Sequence, residues 1–183
     1  MKTRIGLCLA VAFTCSTGGL QAQQKRGDWE VQLQGSYFTL VGTDVTNNVG
    51  TISGKVGPFL TDNIQVGVGP TLTIATTSTT TVPPAGGSTI TSSSTKVTLG
   101  STAWAVYSVL FRDARTAPYI GASWYKRDFS NSTDNGWAGV NGGAKFYYTP
   151  RAAVDISANY LRSLNKGTEG GMLLFAFGLS FLL

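Results

Sequence analysis

The stretch Gly171-Met172-Leu173-Leu174-Phe175-Ala176-Phe177-Gly178-Leu179-Ser180-Phe181-Leu182-Leu183 decides the fold. Taken alternately, one face is Leu173, Phe175, Phe177, Leu179, Phe181 and Leu183. The other is Met172, Leu174, Ala176, Gly178, Ser180 and Leu182. A strand turns successive side chains to opposite faces, so one face is wholly large and apolar and the other small or mixed. In a water-soluble protein such a strand has to lie in a core. In a membrane barrel its large face meets lipid.

The front of the chain favours the second setting. Met1-Lys2-Thr3-Arg4 is basic, Ile5 to Phe13 is apolar, and Leu20-Gln21-Ala22 is a small-residue site before Gln23. This is the layout of a secretory signal peptide over residues 1–22, and the apolar run is too short to span a bilayer as a helix. Removing it takes away both cysteines, Cys8 and Cys15, leaving residues 23–183 as one disulfide-free domain. It also removes Lys2 and Arg4, so twelve of the 14 basic residues remain against 9 acidic ones, a net charge of +3. That charge is spread along the chain, with no basic run suited to nucleic acid.

The exported part is poor in 3.6-residue periodicity and rich in short alternating segments between turn residues. Eight are predicted: Trp29–Leu40, Gly50–Leu60, Ile64 onward, about Lys96–Phe111, Tyr119 to about Phe129, Trp137–Thr149, Ala153–Arg162, and the terminal strand. In the first, Trp29, Val31, Leu33 and Tyr37 oppose Glu30, Gln32, Gln34 and Ser36. In the fourth the phase is ambiguous, because both faces become apolar near Trp104. Connections at 61–63, 112–117 and 149–152 are short, while those at 41–49, 76–95, 130–136 and 163–170 are mostly longer. Alternating short and long connections, with an even strand number, predict an all-β, eight-stranded antiparallel up-and-down transmembrane barrel.

A soluble barrel of the lipocalin kind would be apolar inside. Here the polar faces carry Gly, Ser, Thr, Asn, Gln and a few charges, which suits a lumen with room only for side chains. The apolar faces carry aromatics near the strand ends. Trp29, Phe111, Tyr148 and Phe181 are at one end, and Tyr37, Tyr160 and Phe175 are toward the other, like two interfacial girdles.

Two stretches carry a family resemblance. One is Leu174 to Phe181; the other is Phe146-Tyr147-Tyr148-Thr149-Pro150-Arg151 running on to Tyr160. The chain resembles the small eight-stranded outer-membrane barrels of bacteria, such as the OmpA transmembrane domain and OmpX, from about Trp29 to Leu183. The resemblance implies an integral outer-membrane protein of a diderm bacterium with both termini in the periplasm. It implies contact with outer-membrane lipid and lipopolysaccharide. It also implies that Phe175, Phe177, Gly178, Leu179 and Phe181 form the signal read by the outer-membrane insertion machinery.

The chain has no histidine. A serine nucleophile needs a base to take its proton, and no acidic pair is placed for acid–base work. No enzyme activity, cofactor or metal is therefore expected, and a lipid-modifying enzyme is the least favoured class. Lys145 and Asp155 are each five residues from Pro150 and share the inward phase, which predicts an ion pair between neighbouring strands inside the barrel. Glu30 and Lys55 also point inward. These charges form either a structural plug or a gate. The segment 76–95, TTSTTTVPPAGGSTITSSST, reads either as a hairpin continuing the third and fourth strands or as a mobile polar loop. The leading expectation is a structural, adhesion or protein-interaction role, or that of a subunit in a larger outer-membrane assembly, with the 41–49 and 76–95 loops as the contact sites. A small channel is the alternative.

Overall fold

The structure is a computed structural model and describes residues 24–41, 45–81, 90–111, 115–165 and 171–183. The expected leader, residues 1–22, lies outside them. The strands are β1 (Trp29–Val41), β2 (Val45–Pro58), β3 (Ile64–Thr81), β4 (Ile90–Ser108), β5 (Thr116–Lys126), β6 (Trp137–Thr149), β7 (Ala152–Ser163) and β8 (Gly171–Leu182). Each pairs antiparallel with its neighbours in sequence. β1 meets β8 from Glu30↔Leu182 to Ser36↔Ala176, which closes the barrel.

The alternation sorts the side chains by size and polarity. Phe175 and Phe177 are 68% and 58% exposed on the outer wall, as are Leu33, Val68, Ile120, Val140 and Tyr160. Glu30, Gln32, Gln34, Gln65, Thr71, Thr73, Asn141 and Asp155 are buried inside. In water such an apolar exterior would drive association, whereas hydrocarbon leaves no penalty on it. All seven aromatics expected near the strand ends are on this outer wall.

The ambiguous phase of β4 is settled by space. Trp104 and Val106 point inward, and Ala103, Ala105 and Tyr107 point out. Opposite Trp104 lies inward-facing Gly67, where an added Cβ would come within 2.5 Å of the indole Cζ2. The missing side chain at Gly67 makes room for the ring. Gly143 likewise leaves room for Tyr119, whose hydroxyl would lie 2.7 Å from a Cβ there.

The strand ends differ from expectation on one side of the barrel. The segment 41–49 is not a long loop. β1 runs to Val41 and β2 starts at Val45, with Val41 paired to Thr46. The segment 76–95 is a hairpin as far as it is described, with Thr81 facing Ile90. Threonine suits a strand, and the hydroxyl pairs Thr76–Thr95 and Ser78–Ser93, both at 3.1 Å, lace its two arms.

These long arms are confined to half the barrel. β1 leaves β8 beyond Ser36, and β4 pairs with β5 only from Ser101 onward. Above those points β1 to β4 continue as a four-stranded sheet that stands clear of β5 to β8. At the opposite end the connections are short and a small apolar cluster of Phe59, Ala117, Tyr147, Ala153 and Leu182 closes the barrel. Gln24 covers it, accepting a hydrogen bond from the Tyr147 hydroxyl at 3.1 Å.

Candidate functional site

The inward phase of β1, β2, β6 and β7 brings Glu30, Lys55, Lys145 and Asp155 into the lumen. Lys145 and Asp155 stand opposite each other in register, but the expected ion pair between them is not the one formed. The Lys145 ammonium crosses the lumen to Glu30, 2.7 Å from Oε1 and 2.5 Å from Oε2. Glu30 also accepts hydrogen bonds from Ser180 Oγ at 2.7 Å and Gln65 Nε2 at 3.2 Å, so its carboxylate is the better solvated anion. Lys145 donates in addition to Gln65 Oε1 at 3.2 Å. A long lysine stem can choose its anion, and the carboxylate with the fuller set of donors wins.

Asp155 takes its hydrogen bond from the Tyr119 hydroxyl at 2.9 Å. The Lys145 ammonium also lies 5.6 Å from the Phe59 ring centre and 5.8 Å from that of Tyr119, within reach of both ring faces. Gln65, Ser180 and Tyr119 were not singled out from the sequence. Their inward phase was the available signal, but phase alone does not say which inward groups meet.

Lys55 lies between two small cavities, of about 50 and 10 Å³. Those volumes hold a few waters at most. Further polar contacts cross the lumen: Gln34 Nε2 donates to Ser157 Oγ at 2.7 Å, and the hydroxyls of Thr73 and Tyr125 meet at 2.6 Å near the outer mouth. The result is a filled, cross-linked interior. Among the described residues no three Asp, Glu, His or Cys side chains converge as metal ligands would.

On β8, Phe175, Phe177, Leu179 and Phe181 form an unbroken outward row. Gly178 faces inward, where a Cβ would come within 2.6 Å of the Leu33 carbonyl oxygen. That position leaves no space for a side chain at the β1–β8 seam.

The second candidate site is the projecting edge of β4. Backbone bonds set its phase. Phe129 N–H donates to Leu99 O at 3.0 Å and Val109 N–H to Pro118 O at 2.8 Å, so odd-numbered residues turn toward the β5 side. Ser108 N–H donates to Asn63 O at 2.7 Å, on the β3 side. Because the direction alternates along a strand, Thr91, Ser93, Thr95 and Val97 present their N–H and C=O groups to solvent. Residues Ile90 to Val97 are exposed on both faces. Their one charge, Lys96, is paired with Asp128 at 3.0 Å.

No protein-family model matches this chain, and no curated protein matches it. Solved structures do. A de novo designed transmembrane β-barrel is 14% identical with a TM-score of 0.51, over 88% of this chain and 99% of its own. The N-terminal β-barrel domain of Pseudomonas aeruginosa OprF is 18% identical with a TM-score of 0.50, over 87% of this chain and 100% of its own. The outer membrane protein OprG from Pseudomonas aeruginosa is 10% identical with a TM-score of 0.50, over 89% and 99%. At these identities the likeness is one of fold: a small closed barrel of the outer-membrane type.

Proposed function

We propose that this chain is an integral outer-membrane barrel with an adhesion or protein-interaction role, exerted through the sheet that β1 to β4 raise above the barrel wall. The observation that carries this reading is the β4 edge, whose outward backbone groups at Thr91, Ser93 and Thr95 pair with no strand among the described residues. An exposed edge is a template on which an extended segment of another chain adds a strand. The apolar outer wall supports contact with lipid and lipopolysaccharide. The short connections and the cluster around Phe59 lie at the end proposed to face the periplasm, together with both termini, and the sheet faces outward. Within the outer-membrane class, β8 and the 146–160 strand pair support the likeness to the OmpA transmembrane domain and OmpX. The β8 row is proposed as the signal for the insertion machinery. The lumen is read as a structural plug, and neither enzyme activity nor a nucleic-acid partner is part of the proposal.

Photo-crosslinkers placed at Thr91, Ser93 and Thr95 in outer membranes test the edge. A crosslinked partner is expected to be lost in Ser93→Pro, which removes an outward N–H, while the barrel band in unheated gels is unchanged. A partner crosslinked equally in Ser93→Pro would overturn the edge reading. In planar bilayers the plugged lumen is expected to give no steady conductance, whereas stable salt-dependent steps would replace this reading with the channel.

A further inference from the structure

The outer mouth holds a cavity separate from the β4 edge. The β5–β6 connection folds over the mouth and, with β3, β4 and β6, encloses about 300 Å³, the low end of the range for small-molecule sites. Its floor is closed where Thr73, which lines it, bonds to Tyr125. The groups that matter on its wall are Lys96, Arg127, Asp128, Asp134, Trp137 and Asn165.

Asp134 is the informative one. Its residue is only 9% exposed. Gly136 N–H and Asn165 Nδ2 both donate to Oδ1, each at 2.9 Å, and Oδ2 has no partner among the described residues. Oδ2, with free lone pairs at the cavity wall, is an acceptor open to a donor. Arg127 is exposed, makes no hydrogen bond among the described residues, and acts electrostatically on Asp134. It supplies donors in a planar fork. Trp137, half-buried, adds an indole to the same wall.

We propose that this cup is a carbohydrate-binding site that takes a neutral pyranose unit. Charge decides against an ion: the wall carries two cations, Lys96 and Arg127, and two carboxylates, Asp128 and Asp134, and Lys96 and Asp128 already neutralise each other. An apolar ligand would strip water from Asp134 and Arg127 without replacing it. A sugar satisfies each group at once. Neighbouring hydroxyls donate to Asp134 Oδ2 and accept from Arg127, and the C–H face of the ring lies on Trp137. The sugar can come from the core of the cell's own lipopolysaccharide or from a foreign glycan.

Saturation-transfer NMR tests the site, with the full barrel in lipopolysaccharide-free nanodiscs and methyl glucoside, galactoside and mannoside as probes. Transfer to at least one glycoside is expected. It should fall by about tenfold or more in Asp134→Asn and in Arg127→Gln. Asp134→Asn keeps the Oδ1 acceptor and replaces the free oxygen with a donor. Arg127→Gln touches none of the hydrogen bonds that order the connection, so a loss there cannot be ascribed to unfolding. Added lipopolysaccharide that displaces the probe identifies the cell's own core sugars as the source. No displacement identifies a foreign glycan, and either result sustains the site. No transfer from any of the three at millimolar concentration would overturn the proposal, as would transfer that survives Arg127→Gln.

Discussion

Lys145 faces Asp155 across the β6–β7 ladder, yet its ammonium pairs with Glu30 on the far side of the lumen. Two anions thus lie within the range of one cation, and one of them is bonded.

This arrangement makes the two halves of the ion pair unequal. Lys145→Met strands Glu30 without its cation and is expected to cost about 3–5 kcal/mol. Glu30→Gln leaves Lys145 free to turn to Asp155, its in-register neighbour, and is expected to cost less. Adding Asp155→Asn to Glu30→Gln should remove that refuge and bring the cost back up. Urea unfolding in detergent measures all three. Equal losses for the two single substitutions would show that Asp155 offers no alternative.

Backbone exchange distinguishes the hairpin from a mobile loop. In β4 the amides of Ser92, Ser94 and Lys96 point to β3, while those of Thr91, Ser93 and Thr95 point to solvent. Hydrogen exchange followed by NMR is expected to be slow at the first three and fast at the second. Uniformly fast exchange across Thr91 to Lys96 would contradict the ladder from Thr76↔Thr95 to Thr81↔Ile90.

Space at Gly67 can be probed by filling it. In Gly67→Ala the new Cβ would meet the Trp104 ring at 2.5 Å and the Val56 carbonyl oxygen at 2.6 Å. Overpacking of this kind is expected to cost about 1–3 kcal/mol. Trp104→Phe added to it should restore only part of the loss, because the backbone oxygen stays in place. Full restoration would mean that the indole alone sets the limit.

Acid should loosen the β5–β6 connection before the barrel. Burial opposes ionisation of Asp134, but hydrogen bonds from Asn165 and the Gly136 N–H, with Arg127 and Lys126 nearby, hold its carboxyl below the usual range. Asp128 is held low by hydrogen bonds from Lys96 and the Ser130 N–H. A depressed carboxyl contributes stability that is complete above the ordinary aspartate value of about 3.9 and is lost as pH falls through the lowered one. The connection is therefore expected to hold from neutrality down to about pH 4 and to loosen below it. Trp124, whose Nε1 donates to Asn135 O at 3.3 Å, reports the change by fluorescence. Loosening that begins well above that pH would show that other groups control it.

Legible in the residues were the barrel, the phases of most strands and the inward charges. A two-residue period is a local property, and one face per strand was plainly greasy. β6 was read with both its ends correct, because Gly136 and the Thr149–Pro150 turn mark them in the chain. The phase of β4 was not legible: both faces are apolar near Trp104, and only Gly67, on the neighbouring strand, leaves the indole room to turn inward. The arms of the projecting sheet were half legible, since threonine favours a strand and serves equally well in a solvated tract. Only cross-strand hydroxyl pairs tell the two apart.

The lumen charges show the same division most clearly. The turn at Pro150 sets Lys145 opposite Asp155, and the eleven residues from one to the other suffice to say so. Glu30 is 115 residues from Lys145. No local pattern joins them, and they meet only because β1 pairs with β8 and bends the sheet into a narrow cylinder. The identity of the bonded anion is therefore a consequence of closure, whereas the open edge of β4 follows from the unequal lengths of β4 and β5.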